Sequence, residues 1–167
     1  MNRTTIDFGI DLGTTNSAVA VYTGNHGEPT RIIKNTTDGN DADITPSAVY
    51  LNKKGDVRVG LRAKSRFFDE ETGEDVHIEF KRGMGTDRLY KFKSSGQSRR
   101  PEELSAEILK SLRADVQQRT GELVEASVIF TGRNGATRPI GARPIPKACC
   151  IEKPAAKPAN CALGRRC

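Results

Sequence analysis

Apolar and polar residues alternate in short β-prone runs along the N-terminal part of the chain: Thr5–Leu12, Ser17–Thr23, Thr30–Lys34, Ser47–Leu51 and Val57–Val59. A period of two, with Val, Ile, Tyr and Thr well represented, predicts strands. Gly24-Asn25-His26-Gly27 punctuates a hairpin, and Asp38-Gly39-Asn40-Asp41 marks a polar loop. The period then changes. Leu61–Phe68 suits a short helix, and Asp69–Asp75 is acidic and reads as loop. Leu104, Ile108, Leu112 and Val116 recur at every fourth position with Leu109 beside them, which predicts one amphipathic helix over Pro101–Thr120. Proline at its start forfeits an N–H that would have no helical partner. Glu102 and Glu103 lie at the positive end of the helix dipole, and Gly121 suits the C-terminal stop. Val124–Thr131 then predicts a strand docking beside the first. Strands around one long helix, without internal repeat, make an α/β fold.

Between the first two runs lies Gly13-Thr14-Thr15-Asn16-Ser17, so Ile6–Val21 reads as strand, tight polar turn and returning strand. Glycine permits a positive φ or close approach to a ligand, and successive N–H groups in such a turn can form an anion-binding concavity. Thr14, Thr15 and Asn16 add hydroxyl and amide donors. Asp11, at the strand end, is a carboxylate where a phosphate would bring magnesium, an ion that keeps several waters and needs few protein carboxylates. The Walker pattern is absent, and the segment after the turn favours a strand rather than the helix of a Rossmann turn. From the residues alone, an ordinary hairpin turn with hydroxyls in water serves equally well. Asp11 could likewise accept turn N–H bonds, and Lys81-Arg82 could be a solvated basic pair.

Charge divides the chain in two. Eight of the 27 Lys and Arg and one of the 21 Asp and Glu fall in residues 131–167, so that segment carries +7 and residues 1–130 carry −1. All four cysteines and five of the eight prolines also fall there. Residues 131–167, rich in Pro, Gly, Lys and Arg, bury too little apolar surface to offset ordering and are expected to be a disordered tail. Cys149, Cys150, Cys161 and Cys167 form no C-x-x-C pair and have no histidine near them, so no zinc site is expected. His26 and His77 lie in polar segments and are expected at the surface. No apolar run approaches the roughly 18 residues of a membrane span, and the N-terminus carries no apolar leader. A cytoplasmic protein with reduced thiols is expected.

Ile10-Asp11-Leu12-Gly13-Thr14-Thr15-Asn16-Ser17 resembles the first phosphate motif of the actin-like ATPases, and most closely that of the 70-kDa heat-shock (DnaK-type) chaperones. Further landmarks follow in that family's order: Ile33-Lys34-Asn35, Thr45-Pro46-Ser47-Ala48-Val49, Val57-Arg58-Val59-Gly60 with Ala63-Lys64, Phe80-Lys81-Arg82-Gly83-Met84-Gly85, Pro101-Glu102-Glu103-Leu104-Ser105-Ala106 and Ala126-Ser127-Val128-Ile129. The resemblance covers about residues 5–130. It implies part of one actin-like (ribonuclease-H-like) lobe, a mixed sheet with packed helices, over residues 1–130. It also implies ATP/ADP with Mg as cofactors, Gly13, Thr14, Thr15 and Asn16 cradling the β/γ-phosphates, and Asp11 positioning hydrated magnesium. Lys81 is implied to reach the nucleotide cleft and stabilise the transferring phosphoryl. The implied partners are unfolded polypeptides, J-domain co-chaperones and nucleotide-exchange factors, with neither a membrane nor nucleic acid.

The departures shape the functional expectation. After Ile129 the family continues with a valine-proline-alanine segment and an apolar helix, whereas this chain reads Phe130-Thr131-Gly132-Arg133-Asn134-Gly135. Neither the family's second lobe, with its own phosphate loop and adenosine-binding segment, nor its peptide-binding domain is expected from these residues. Orienting groups act jointly, so one lobe is expected to bind ATP weakly and not to turn it over. Residues from about 130 are expected to come from a frame change or truncation, which reading the other two frames of the gene would decide. Two other readings stand beside this one. A sugar or glycerol kinase of the same superfamily shares G-T-T but lacks the T-P-S and K-R-x-x-G segments. A nucleic-acid-binding role would rest on the basic tail, which has no aromatic residue to stack on bases.

Overall fold

The computed structural model describes residues 7–24, 26–36, 41–124 and 127–130. Within them β1 (Phe8–Leu12) and β2 (Asn16–Tyr22) form an antiparallel hairpin, joined by β3 (Thr30–Ile32) and β4 (Thr45–Pro46), both on β2. β10 (Val128–Phe130) closes the other edge parallel to β1, with Gly9 opposite Val128 and Asp11 opposite Phe130. The result is a five-stranded mixed sheet of order β10-β1-β2-β3, with β4 beside β2. A second, antiparallel sheet has β5 (Ala48–Leu51) between β6 (Val57–Val59) and β7 (Val76–Ile78). β8 (Tyr90–Lys91) and β9 (Ser98–Arg99) make a small ribbon.

Leu61–Lys64 forms a single helical turn, α1, continued by a 3-10 turn over Ser65–Phe68. The long helix α2 runs from Pro101 to Thr120, the span its apolar period predicts. Glu103 accepts the Arg100 N–H at 2.7 Å, and Gly121 ends the helix at φ 72°, its N–H reaching the Gln117 carbonyl at 2.9 Å. Leu104, Ile108, Leu112 and Val116 are all buried. They meet Phe8, Ile10, Leu12 and Val19 from the first sheet and Val49, Leu51 and Val59 from the second, with Phe80, Tyr90 and Phe92 completing one core. Each such side chain stabilises the fold by about 1.5–3 kcal/mol when fully buried. β5 is buried on both faces: Val49 and Leu51 enter this core, while Ala48 and Tyr50 meet Ala63 and Val76 beneath α1.

On the first sheet's other face, register places Gly9 and Asp11 with Ala20 and Ala18. The helix therefore covers one face, and the end of β1 presents Asp11 on the other.

Several readings change. β3 stops at Ile32, two residues early, because Ile33 turns into the core. Asp69–Asp75 contains a 3-10 turn, Gly73–Asp75, and Asp75 is buried as acceptor for the Ser94 N–H at 2.8 Å. His77 is half-buried rather than fully exposed. It lies on β7, its ring edge-on to Tyr90 and Phe92 at 5.1 and 4.6 Å, with Nε2 2.9 Å from the Lys91 carbonyl. Thr5 and Ile6, the Asp38-Gly39-Asn40 loop, and residues 131–167 with their cysteines lie outside the described residues.

Candidate functional site

β1 ends at Leu12 and β2 begins at Asn16, leaving Gly13-Thr14-Thr15 as the turn. Its tightness explains the glycine. A Cβ on Gly13 would stand 2.0 Å from the Asn16 carbonyl oxygen, closer than any real contact. Gly13 is not among the positive-φ residues, so the requirement is close approach within the turn. Thr14 and Asn16 are half-buried, whereas Asp11 and Thr15 are exposed.

Ser47, buried at the junction of β4 and β5, holds the turn from one side. Its Oγ donates to the Gly13 carbonyl at 2.9 Å, and its N–H donates to the Thr15 carbonyl at 2.8 Å. Ser17 Oγ lies 2.9 Å from Ser47 Oγ. Ser47 spends its only hydroxyl proton on Gly13, so Ser17 is the donor in that pair.

Lys81 arrives from far along the chain. It sits in a 3-10 turn over Phe80–Gly83, anchored by Phe80 in the core and by Gly83, which packs against Pro101 and Tyr90. Glu79, just before it, has φ 53°, a left-handed conformation that is unusual for a residue with a side chain. With Phe80 fixed inward, the Lys81 ammonium donates to the Leu12 carbonyl at the base of the Gly13-Thr14-Thr15 turn. Burial lowers the Lys81 pKa, and the nearby Asp11 charge partly restores it. Arg82 faces outward and pairs with Glu79 at 3.2 Å. The basic pair is therefore split between an inner and an outer role.

The fold thus brings Asp11, Gly13, Thr14, Thr15, Asn16 and Lys81 to one end of the β1–β2 hairpin. Thr14 and Thr15 border a cleft of about 70 Å³ whose other walls include Ser47, Lys64, Ile78 and Glu79. Asp11, Gly13, Asn16 and Lys81 do not line it, and its volume falls well below the roughly 300 Å³ at which small-molecule pockets begin. A larger open basin, about 740 Å³, lies elsewhere between Lys53, Asp56, Glu70 and Lys93 and includes none of these residues. Ser47 and Lys64 stand in the T-P-S and A-K landmarks, but sequence gave neither a task, because their partners are backbone atoms and a cleft that only folding creates. Among the described residues no three His, Cys, Asp or Glu side chains cluster as a metal site. Asp11 stands as a single exposed carboxylate, the arrangement a largely hydrated cation uses.

The sequence model of the Hsp70 protein family matches residues 7–131. This chain belongs to the Hsp70 family. Its mixed sheet and few helices are consistent with part of that family's ATPase region. Hsp70 proteins bind ATP or ADP, usually with magnesium, and work with co-chaperones on unfolded polypeptides. The match favours the Hsp70 reading over the sugar-kinase alternative. No helix among the described residues is long and apolar enough to cross a membrane.

Proposed function

We propose that this Hsp70 chain forms the phosphate-binding half of a DnaK-type, actin-like (ribonuclease-H-like) ATPase, serving ATP-dependent protein folding in the cytoplasm. Residues 1–130 make up the N-terminal portion of the first lobe, and residues 131–167 form a separate basic tail. The observation that carries the reading is the Lys81 ammonium, brought across 69 residues of sequence onto the Leu12 carbonyl beside Asp11 and the Gly13 turn. A fully solvated basic pair would leave both side chains in water, whereas Lys81 is half-buried.

The residues present fit a magnesium nucleotide. Gly13, Thr14, Thr15 and Asn16 would hold the β/γ-phosphates, and Asp11 would orient water on the ion. Bound magnesium would neutralise phosphate charge. Lys81 already stands partly desolvated, where an ammonium stabilises developing negative charge more strongly than in water. J-domain co-chaperones, nucleotide-exchange factors and unfolded polypeptides are the partners of this reading.

The half-site character of this reading sets the expected strength. One lobe supplies one wall, so MgATP should bind the full chain more weakly than micromolar and show no turnover. Calorimetry with MgATP checks this: a micromolar or tighter site would sink the half-clamp view. Lys81→Ala should weaken binding further, and equal heats for the two proteins would remove Lys81 from the site.

A further inference from the structure

Anion binding by a peptide turn demands that its carbonyls point elsewhere. A carbonyl oxygen facing a phosphate repels it, whereas an N–H attracts it. Two carbonyls of this turn, those of Gly13 and Thr15, are both captured by Ser47, one through its hydroxyl and the other through its backbone N–H. No peptide bond here is cis. In a planar trans peptide the C=O and N–H point in opposite directions. Fixing the Gly13 and Thr15 carbonyls toward Ser47 therefore turns the Thr14 and Asn16 N–H groups the other way. Pairing of Asn16 with Pro46 and of Ser17 with Thr45 keeps Ser47 in register with the turn. The Ser17 hydroxyl fixes its rotamer, and Ala48, the next residue, begins the central strand of the second sheet.

We propose that Ser47 is a positioning residue for anion capture, orienting the Gly13–Asn16 turn so that its N–H groups, rather than its carbonyls, meet a phosphate. This deepens the phosphate-site reading and rests on it. Ser47 acts through the backbone and need not touch the ligand.

The test uses the full-length, 15N-labelled chain titrated with MgADP, MgATP and, separately, inorganic pyrophosphate, following amide resonances. For the wild type, Thr14 and Asn16 should shift saturably. Shifts with pyrophosphate alone would assign the recognition to the phosphates; shifts with nucleotide only would contradict a turn built for phosphate. Ser47→Ala should weaken the dissociation constant about tenfold, as loss of one buried hydrogen bond predicts. It should also speed amide exchange in the turn, and Ser47→Thr, which keeps the hydroxyl, should recover most of the affinity. If Ser47→Ala loses amide dispersion, Ser47→Cys carries the same comparison with little change in volume. Equal affinity in a folded Ser47→Ala or Ser47→Cys chain overturns the positioning role and leaves the phosphate site standing. Absence of any shift at Thr14 and Asn16 in the wild type overturns the phosphate site itself, and the role of Ser47 with it.

Discussion

At the scale of single residues, Asp11 acts on the charge of Lys81. Burial draws the Lys81 pKa below its ordinary value while Asp11 pulls it back up. Asp11→Asn removes the opposing influence, so Lys81 should titrate at lower pH than in the wild type. Side-chain NMR of Lys81 across alkaline pH measures this, and an unchanged midpoint would mean the two groups do not interact. Gly13 works by volume alone. Gly13→Ala would drive a methyl group into the Asn16 carbonyl, so the β1–β2 hairpin should be destabilised by about 2 kcal/mol or more. Denaturant unfolding reads that loss. A variant as stable as the parent would show that the turn can open to admit a side chain.

At the scale of elements, α2 ties the layers together through polar contacts as well as its apolar stripe. Asp115 is buried, and its Oδ1 accepts both the Thr36 N–H and the Thr36 hydroxyl at 2.8 Å, fixing the segment after β3 to the helix. Asp115→Ala should cost about 2 kcal/mol in denaturant unfolding, the usual loss when hydrogen-bond donors are left without a buried acceptor. A change below about 0.5 kcal/mol would show that water replaces the contact. The helix itself was legible because Leu104, Ile108, Leu112 and Val116 repeat at its own period and Pro101 and Gly121 punctuate it. Asp115 was not legible: a carboxylate on the polar side of that stripe reads as solvated until Thr36 is placed opposite it. β4, β7, β8 and β9 escaped for a related reason. Two or three residues cannot display a period, and long-range pairing decides their state. Of the site, Asp11, the Gly13 turn and Lys81 were legible through short motifs, whereas Ser47 emerged only with its carbonyl partners.

At the scale of the whole molecule, both sheets, α2 and the aromatic residues around His77 share their packing, so a local charge change there acts on the entire fold. Burial lowers the His77 pKa below 6.5, and the nearby Arg88 acts in the same direction. The Lys91 carbonyl and the Asp75 charge oppose them. In the window below about 6.5 the unfolded chain therefore binds more protons than the folded one. The stability contributed by neutral His77 is complete above that pH and falls away as the solution becomes more acidic. Melting temperatures compared between pH 7.5 and 5.5 should fall more for the wild type than for His77→Gln; parallel curves would exclude His77 as the cause. The pairing of β10 with β1 has a different kind of consequence. Gly9 meets Val128, so during synthesis at roughly 5–20 residues per second the first strand waits about 6–24 s for its parallel neighbour. Throughout that wait the nascent hairpin offers bare backbone along one side of β1, and there a half-made chain is most open to joining another.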